Sequence, residues 1–142
     1  ALKGGLIEVW QANAGGIYAH HESNGEVEEG FRGWGRVIAD FDSGEWSFET
    51  VKPGAVPGRS GAVQAPHISL WIVARGINIG LNTRLYFDDE GTANDADPVL
   101  SRVDPPHRRD TLIANRSDSG RTPIYRFDIR LQGDGETVFF DI

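Results

Sequence analysis

One stretch constrains this chain more than any other: Gln64-Ala65-Pro66-His67-Ile68-Ser69-Leu70-Trp71-Ile72-Val73-Ala74-Arg75-Gly76. Apolar residues dominate it, polar groups fall at alternate positions, and Gly61 and Gly76 punctuate its two ends, which is the pattern of a buried strand. Side chains on a strand alternate between faces, so His67 and Ser69 share one face, joined by Arg75 if no bulge intervenes. A His-x-His pair at this spacing would point two imidazoles at one metal. Here the second position is serine.

The rest of the composition agrees with a sheet. The 142 residues make one domain long enough to bury a core. A hydrophobic fraction of 39% with 25% charged residues is that of a soluble globular chain. Eighteen glycines and seven prolines ask for many turns and hence many strands. With no cysteine there are no disulfides and no thiolate metal sites, which fits a reducing cytoplasm. Fourteen basic against 21 acidic residues give a net charge of −7. That argues against a general nucleic-acid binder, which needs a basic surface, but leaves room for a local basic pocket for a small anion. No apolar run reaches membrane-spanning length and no basic-then-apolar leader opens the chain. Its start at Ala1-Leu2-Lys3-Gly4-Gly5, without Met, reads as a trimmed chain or as part of something longer.

Taken in order, Gly5 to Ala12 reads as a strand ended by Asn13-Ala14-Gly15-Gly16. Tyr18, His20 and His21 follow in a loop, and the acidic run Glu22 to Gly30 reads as solvated surface. Trp34 to Phe41 and Glu45 to Val51 bracket Asp42-Ser43-Gly44, a hairpin signal. Lys52 to Arg59 is a loop that Pro53 and Pro57 stiffen. Ile77 to Ile79 and Thr83 to Phe87 read as further strand, and Asp88 to Val103 as acidic and irregular with room for a helical turn. Asp104-Pro105-Pro106 predicts the start of a short helix capped by Asp104. Ile124 to Leu131 alternates cleanly, with Tyr125, Phe127, Ile129 and Leu131 on one face, and Gly133-Asp134-Gly135 turns it back into Thr137 to Phe140. The expected fold is mostly β, an antiparallel sandwich rich in aromatic residues with one short helix.

Four blocks together resemble the intradiol ring-cleaving dioxygenases. They are Leu6-Ile7-Glu8-Val9-Trp10-Gln11-Ala12-Asn13 with Tyr18; Thr50-Val51-Lys52-Pro53-Gly54 through Pro57; Gln64 to Gly76; and Tyr125 to Arg130 with Gly135 to Phe140. They occur in the family's order and span nearly the whole chain, 1–142, as one domain without the family's N-terminal segment. The resemblance implies a β-sandwich holding a non-haem Fe(III) on two tyrosines and two histidines, a set in which hard phenolate oxygens favour the ferric state. Tyr18 stands where the first tyrosine belongs and His67 where the first histidine does. The second tyrosine position holds Val56 and the second histidine position Ser69, so two of four donors are lost and no metal is expected on this chain alone.

That loss resembles the two-chain members of the family, in which a degenerate α chain pairs with a homologous β chain that carries the Fe(III). Ala65 to Ile68, Ala74 to Ile79 and Tyr86 to Glu90 are similar to the α type. The implied partners are that β chain in an αβ or higher oligomer, a small aromatic substrate and O2, with no nucleic acid and no membrane. The implied reaction opens 3,4-dihydroxybenzoate with O2 to 3-carboxy-cis,cis-muconate. Arg75 would then help bind the substrate carboxylate, a task that suits a planar, permanently charged fork of donors. The residues by themselves permit plainer roles. Tyr18 and His67 are also ordinary buried, hydrogen-bonded side chains, and Arg75 could pair with Asp88. His107 beside Arg108 and Arg109 reads as solvated, while Trp10, Trp34, Trp46 and Trp71 read as core or subunit-interface residues. Two other functions stay open: an iron dioxygenase in its own right, with unrecognised ligands such as His20 or His21, and a non-catalytic β-sandwich binding module.

Overall fold

The computed structural model describes residues 4–19, 29, 31–58, 61–76, 79–117 and 122–140. The organising stretch is indeed a central strand, β5 (His67–Val73), and its neighbours follow from the chain's alternation. It pairs antiparallel on one edge with β1 (Leu6–Gln11) and on the other with β6 (Leu81–Phe87). β2 (Trp34–Ile38) adds outside β1, and β7 (Ile113–Ser117) lies parallel to β6, followed by β8 (Ile124–Arg126). The six-stranded order is therefore β2-β1-β5-β6-β7-β8, and β3 (Val56–Pro57) and β4 (Val63–Gln64) form a separate two-stranded pair.

Alternation decides what each face touches. Ile7, Val9, Ile68, Leu70, Ile72, Leu85 and Phe87 point inward and form the main core with Ala114 and Phe127. Trp46, Phe48, Ile129 and Phe139 pack over them as the opposing layer, and Tyr125 of β8 sets its ring 4.9 Å from that of Phe87, giving a β-sandwich-like fold. Each fully buried side chain of this kind contributes about 1.5–3 kcal/mol. On the outer face a second cluster of Ala65, Tyr86, Leu100, Val103 and Leu112 packs under the parallel crossover between β6 and β7. That crossover holds the one α-helix among the described residues, α1 (Gly91–Ala96), between 3₁₀ turns.

Several expected boundaries moved. The hairpin turn at Asp42 to Gly44 exists, with the Asp40 carboxylate accepting from the Asp42 and Ser43 amides at 2.8 Å and Gly44 at φ +77. Its second arm leaves the ladder after the bond from Asp40 N to Glu45 O, and Trp46 and Phe48 are used for packing instead. The helical turn after Asp104 is a 3₁₀ stretch, Pro106–Leu112; it starts after the extended Pro105, and no side chain caps it. The clean alternation after Ile124 is real in burial, yet only Ile124–Arg126 is paired as strand. Past that point, among the described residues, the bridge Asn82 to Phe140 and the bond from the Thr83 hydroxyl to the Val138 carbonyl at 2.7 Å tie the C-terminal run to the sheet. Ile79 is 81% exposed and not part of a strand. Trp46 joins the core, but Trp10 and Trp34 stack on each other at 5.8 Å on the open outer face, 48% and 44% exposed.

Candidate functional site

Of the four positions singled out by the resemblance, His67, Ser69 and Tyr18 lie about Arg84, and Val56 is linked to it through its strand partner Gln64. His67 opens β5, and Ser69 follows on the same side. In register, His67 lies opposite Tyr86 and Ser69 opposite Arg84; such directly opposed side chains stand about 5 Å apart at Cβ. Val56 reaches the site from the β3-β4 pair, where its partner is Gln64. Tyr18 arrives on the loop that continues β1.

Glycine makes that loop possible. Gly16 has φ +80, and a Cβ there would lie 2.0 Å from the Ala55 carbonyl oxygen. A Cβ on Gly54 would lie 2.4 Å from the Ala14 carbonyl oxygen. Two backbones thus touch where side chains would hold them apart. Buried Asn13 fixes the contact: its side-chain oxygen accepts from the Gly15 and Ile17 amides at 3.0 and 2.9 Å, and its carbonyl accepts from Gly54 N at 2.9 Å. Gln11 adds a second tie, donating to the Val51 carbonyl at 2.7 Å and accepting from the Thr50 hydroxyl at 2.8 Å.

A guanidinium occupies the middle. Arg84 Nη1 donates to Gln64 Oε1 at 2.8 Å and to the Tyr86 hydroxyl at 3.2 Å. Tyr86 in turn donates to Asp97 Oδ1 at 3.1 Å. Asp97 is completely buried and also accepts from the amides of Ala65, Val99 and Leu100 at 2.8–2.9 Å. Burial pushes the Tyr86 phenol well above its ordinary value, so it stays protonated and serves as donor. Sequence reasoning missed this network. The available signal was a charge at Arg84 inside an otherwise strand-like Thr83 to Phe87.

The neighbouring groups respond to that environment. Burial, reinforced by the Arg84 charge, pushes the His67 imidazole down to about 4. Its Nδ1 lies 2.8 Å from the Ala65 carbonyl, which can only accept, so Nδ1 carries the proton of the neutral ring. Half-buried Tyr18 has its phenol raised by burial against a smaller opposing pull from Arg84. A ferric ion asks for phenolates and imidazoles. The residues here offer one imidazole, one phenol, one serine hydroxyl and one valine, with a fixed cation among them. They do not fit the ion. Among the described residues no cluster of three or more His, Asp or Glu could hold a metal; His20 and His21 lie outside those residues.

Arg75 is elsewhere. β5 ends at Val73, about 20 Å along the strand from His67, and Arg75 sits exposed in the turn beyond it. Asp88 follows the opposite end of the β5-β6 ladder, so the two do not pair, and Asp88 accepts instead from the Arg116 amide at 3.1 Å.

A family model described as Dioxygenase matches residues 1–133. The chain belongs to this dioxygenase family. It is 51% identical over 140 residues to a protein named protocatechuate 3,4-dioxygenase alpha chain from Pseudomonas putida, covering 99% of this chain and 68% of that one. A Burkholderia cepacia protein of the same name is 44% identical, covering 96% and 68%. The protocatechuate 3,4-dioxygenase beta chain of Burkholderia cepacia is 34% identical, covering 93% and 58%. Among solved structures, 3-chlorocatechol 1,2-dioxygenase from Rhodococcus opacus 1CP superposes with a TM-score of 0.64 at 22% identity, covering 87% of this chain and 50% of that one. Catechol 1,2-dioxygenase from Pseudomonas arvilla C-1 gives 0.56 at 21%, covering 89% and 44%. At that identity the likeness to these intradiol enzymes speaks for the dioxygenase fold alone. No helix among the described residues is long and apolar enough to cross a membrane.

Proposed function

We propose that this chain is the α subunit, without iron of its own, of a protocatechuate 3,4-dioxygenase. The observation that carries the reading is the ranking of identities: 51% and 44% to the two alpha chains against 34% to the beta chain. The geometry agrees, because the donor-poor pocket around Arg84 would make a poor home for iron while the fold around it is intact. On this reading a homologous β chain holds the Fe(III). The assembled cytoplasmic enzyme opens 3,4-dihydroxybenzoate with O2 to 3-carboxy-cis,cis-muconate in aromatic catabolism. The stretch 1–142 acts as one domain that supports assembly and shapes the substrate entrance. Arg75 is exposed in the turn just beyond the central strand and makes no ion pair among the described residues. On this reading Arg75 reaches toward a neighbouring subunit and binds the substrate's carboxylate.

The test is iron content and 3,4-dihydroxybenzoate turnover of the purified chain, alone and mixed with a β chain. A lone chain without iron or turnover, and an active mixture, is the expected result. In that mixture Arg75→Ala should raise KM roughly tenfold, the loss of one charge-assisted contact, with kcat little changed. Stoichiometric iron and turnover in the lone chain would overturn the reading in favour of a self-sufficient enzyme. An inactive mixture with no αβ complex would favour a binding module.

A further inference from the structure

We propose that Arg84 is a built-in cation that shuts metal out of this pocket, over and above the two missing donors. The proposal rests on the assignment of Tyr18, Val56, His67 and Ser69 as the former ligand positions. Each of the last three is tied to Arg84 by register or by one hydrogen bond. Ser69 is its cross-strand partner. Val56 pairs with Gln64, whose side chain accepts from Nη1 at 2.8 Å. His67 pairs with Tyr86, whose hydroxyl accepts from the same nitrogen at 3.2 Å. Tyr18 lies within reach of the same charge.

Arginine keeps its charge at every accessible pH, and it is all donor with no lone pair to offer a metal. An incoming cation would meet like charge in a partly desolvated pocket, where repulsion is screened less than in water. Swinging the guanidinium aside would strand the Gln64 and Tyr86 oxygens, and Tyr86 is locked in turn to fully buried Asp97. The pocket therefore carries its own permanent positive charge where a metal-binding site would need room for one.

The consequence concerns repair. Restoring donors by Val56→Tyr with Ser69→His should not restore metal binding while Arg84 remains. Adding Arg84→Gln, neutral and polar, should. Both variants of the full chain, and the unaltered chain, would be incubated with ferric citrate and desalted. Bound iron would be counted by elemental analysis and checked by the visible phenolate-to-iron absorption. The triple variant should bind at least 100-fold more tightly than the double. Equal binding by the two, including no binding by either, would overturn the proposal, as would iron on the unaltered chain. Thermal melts show whether each variant is folded; if the glutamine variant is not, Arg84→Met, uncharged and of similar length, takes its place in the same comparison. Because the readout is metal on the lone chain, it is separate from turnover with a β partner, which tests the subunit reading.

Discussion

Two polar clusters, built from similar side chains, sit in opposite surroundings. One is the buried line from Arg84 through Tyr86 to Asp97, beside His67; Tyr86 and Asp97 have no exposure at all and His67 has 2%. The other lies at the rim, where Lys52 Nζ meets Asp89 at 3.1 Å and Glu90 at 2.7 Å and stands 5.3 Å from the centre of the Phe87 ring. There the Tyr125 hydroxyl donates to Asp89 at 2.6 Å, Arg116 adds an ion pair at 3.1 Å, and the Lys52 side chain is 33% exposed. Both clusters hold a loop of the candidate site in place. The rim cluster anchors the segment leading to Val56, and the buried one anchors the residues before β5. Water can take over the rim bonds when one is cut, and nothing can do so inside. The same chemistry should therefore carry unequal weight.

The largest break should come at Asp97. Asp97→Ala strands the Ala65, Val99 and Leu100 amides and the Tyr86 hydroxyl, so denaturant unfolding should show a loss of about 3–5 kcal/mol. A loss under about 1 kcal/mol would mean that water reaches the cluster after all.

Next is the pH dependence tied to His67. Its folded pKa is depressed to about 4, while the unfolded value is about 6.5. Between the two, the unfolded chain binds the proton more readily. The contribution is therefore full above about pH 6.5 and falls away as the pH drops toward 4, on the order of 3 kcal/mol in all. Carboxylates titrate in the lower part of that window, so the comparison is with His67→Gln, whose stability should fall less between pH 7 and pH 5. Parallel profiles for the two proteins would mean that His67 is not held neutral.

The smallest effect belongs to the rim. Lys52→Ala should cost about 0.5–1 kcal/mol, and the difference should shrink in 1 M salt because exposed ion pairs are screened. Should it match the loss at Asp97, burial would not be what separates the two clusters.

Much of the fold was legible because burial writes itself as alternation. The faces of β5 and of the run from Tyr125 to Leu131 could be read from spacing, whether or not a ladder formed there. The extent of the ladder was less legible. Glu45 to Val51 looks as strand-like as Trp34 to Ile38, but the turn built by Asp40 steers it over the core. Likewise Trp10 and Trp34 are as apolar as Trp46, and only sheet order leaves them on an open face. The site was half visible: Tyr18, Val56, His67 and Ser69 stand in recognisable blocks, whereas Arg84 and Asp97 stand in stretches with no pattern of their own.

What the sequence determined by itself is the presence of alternating strands, the turns that Gly and Pro impose, and the absence of a phenol at position 56 and an imidazole at position 69. These are properties of single residues and their near neighbours. The tertiary structure alone decided that Arg84 stands opposite Ser69 and next to Gln64, 20 residues away in the chain. It also placed Asp97 beneath them, 32 residues from the amide of Ala65 that it accepts from. Strand register and the parallel crossover set those meetings, and both depend on how the whole sheet closes over its core.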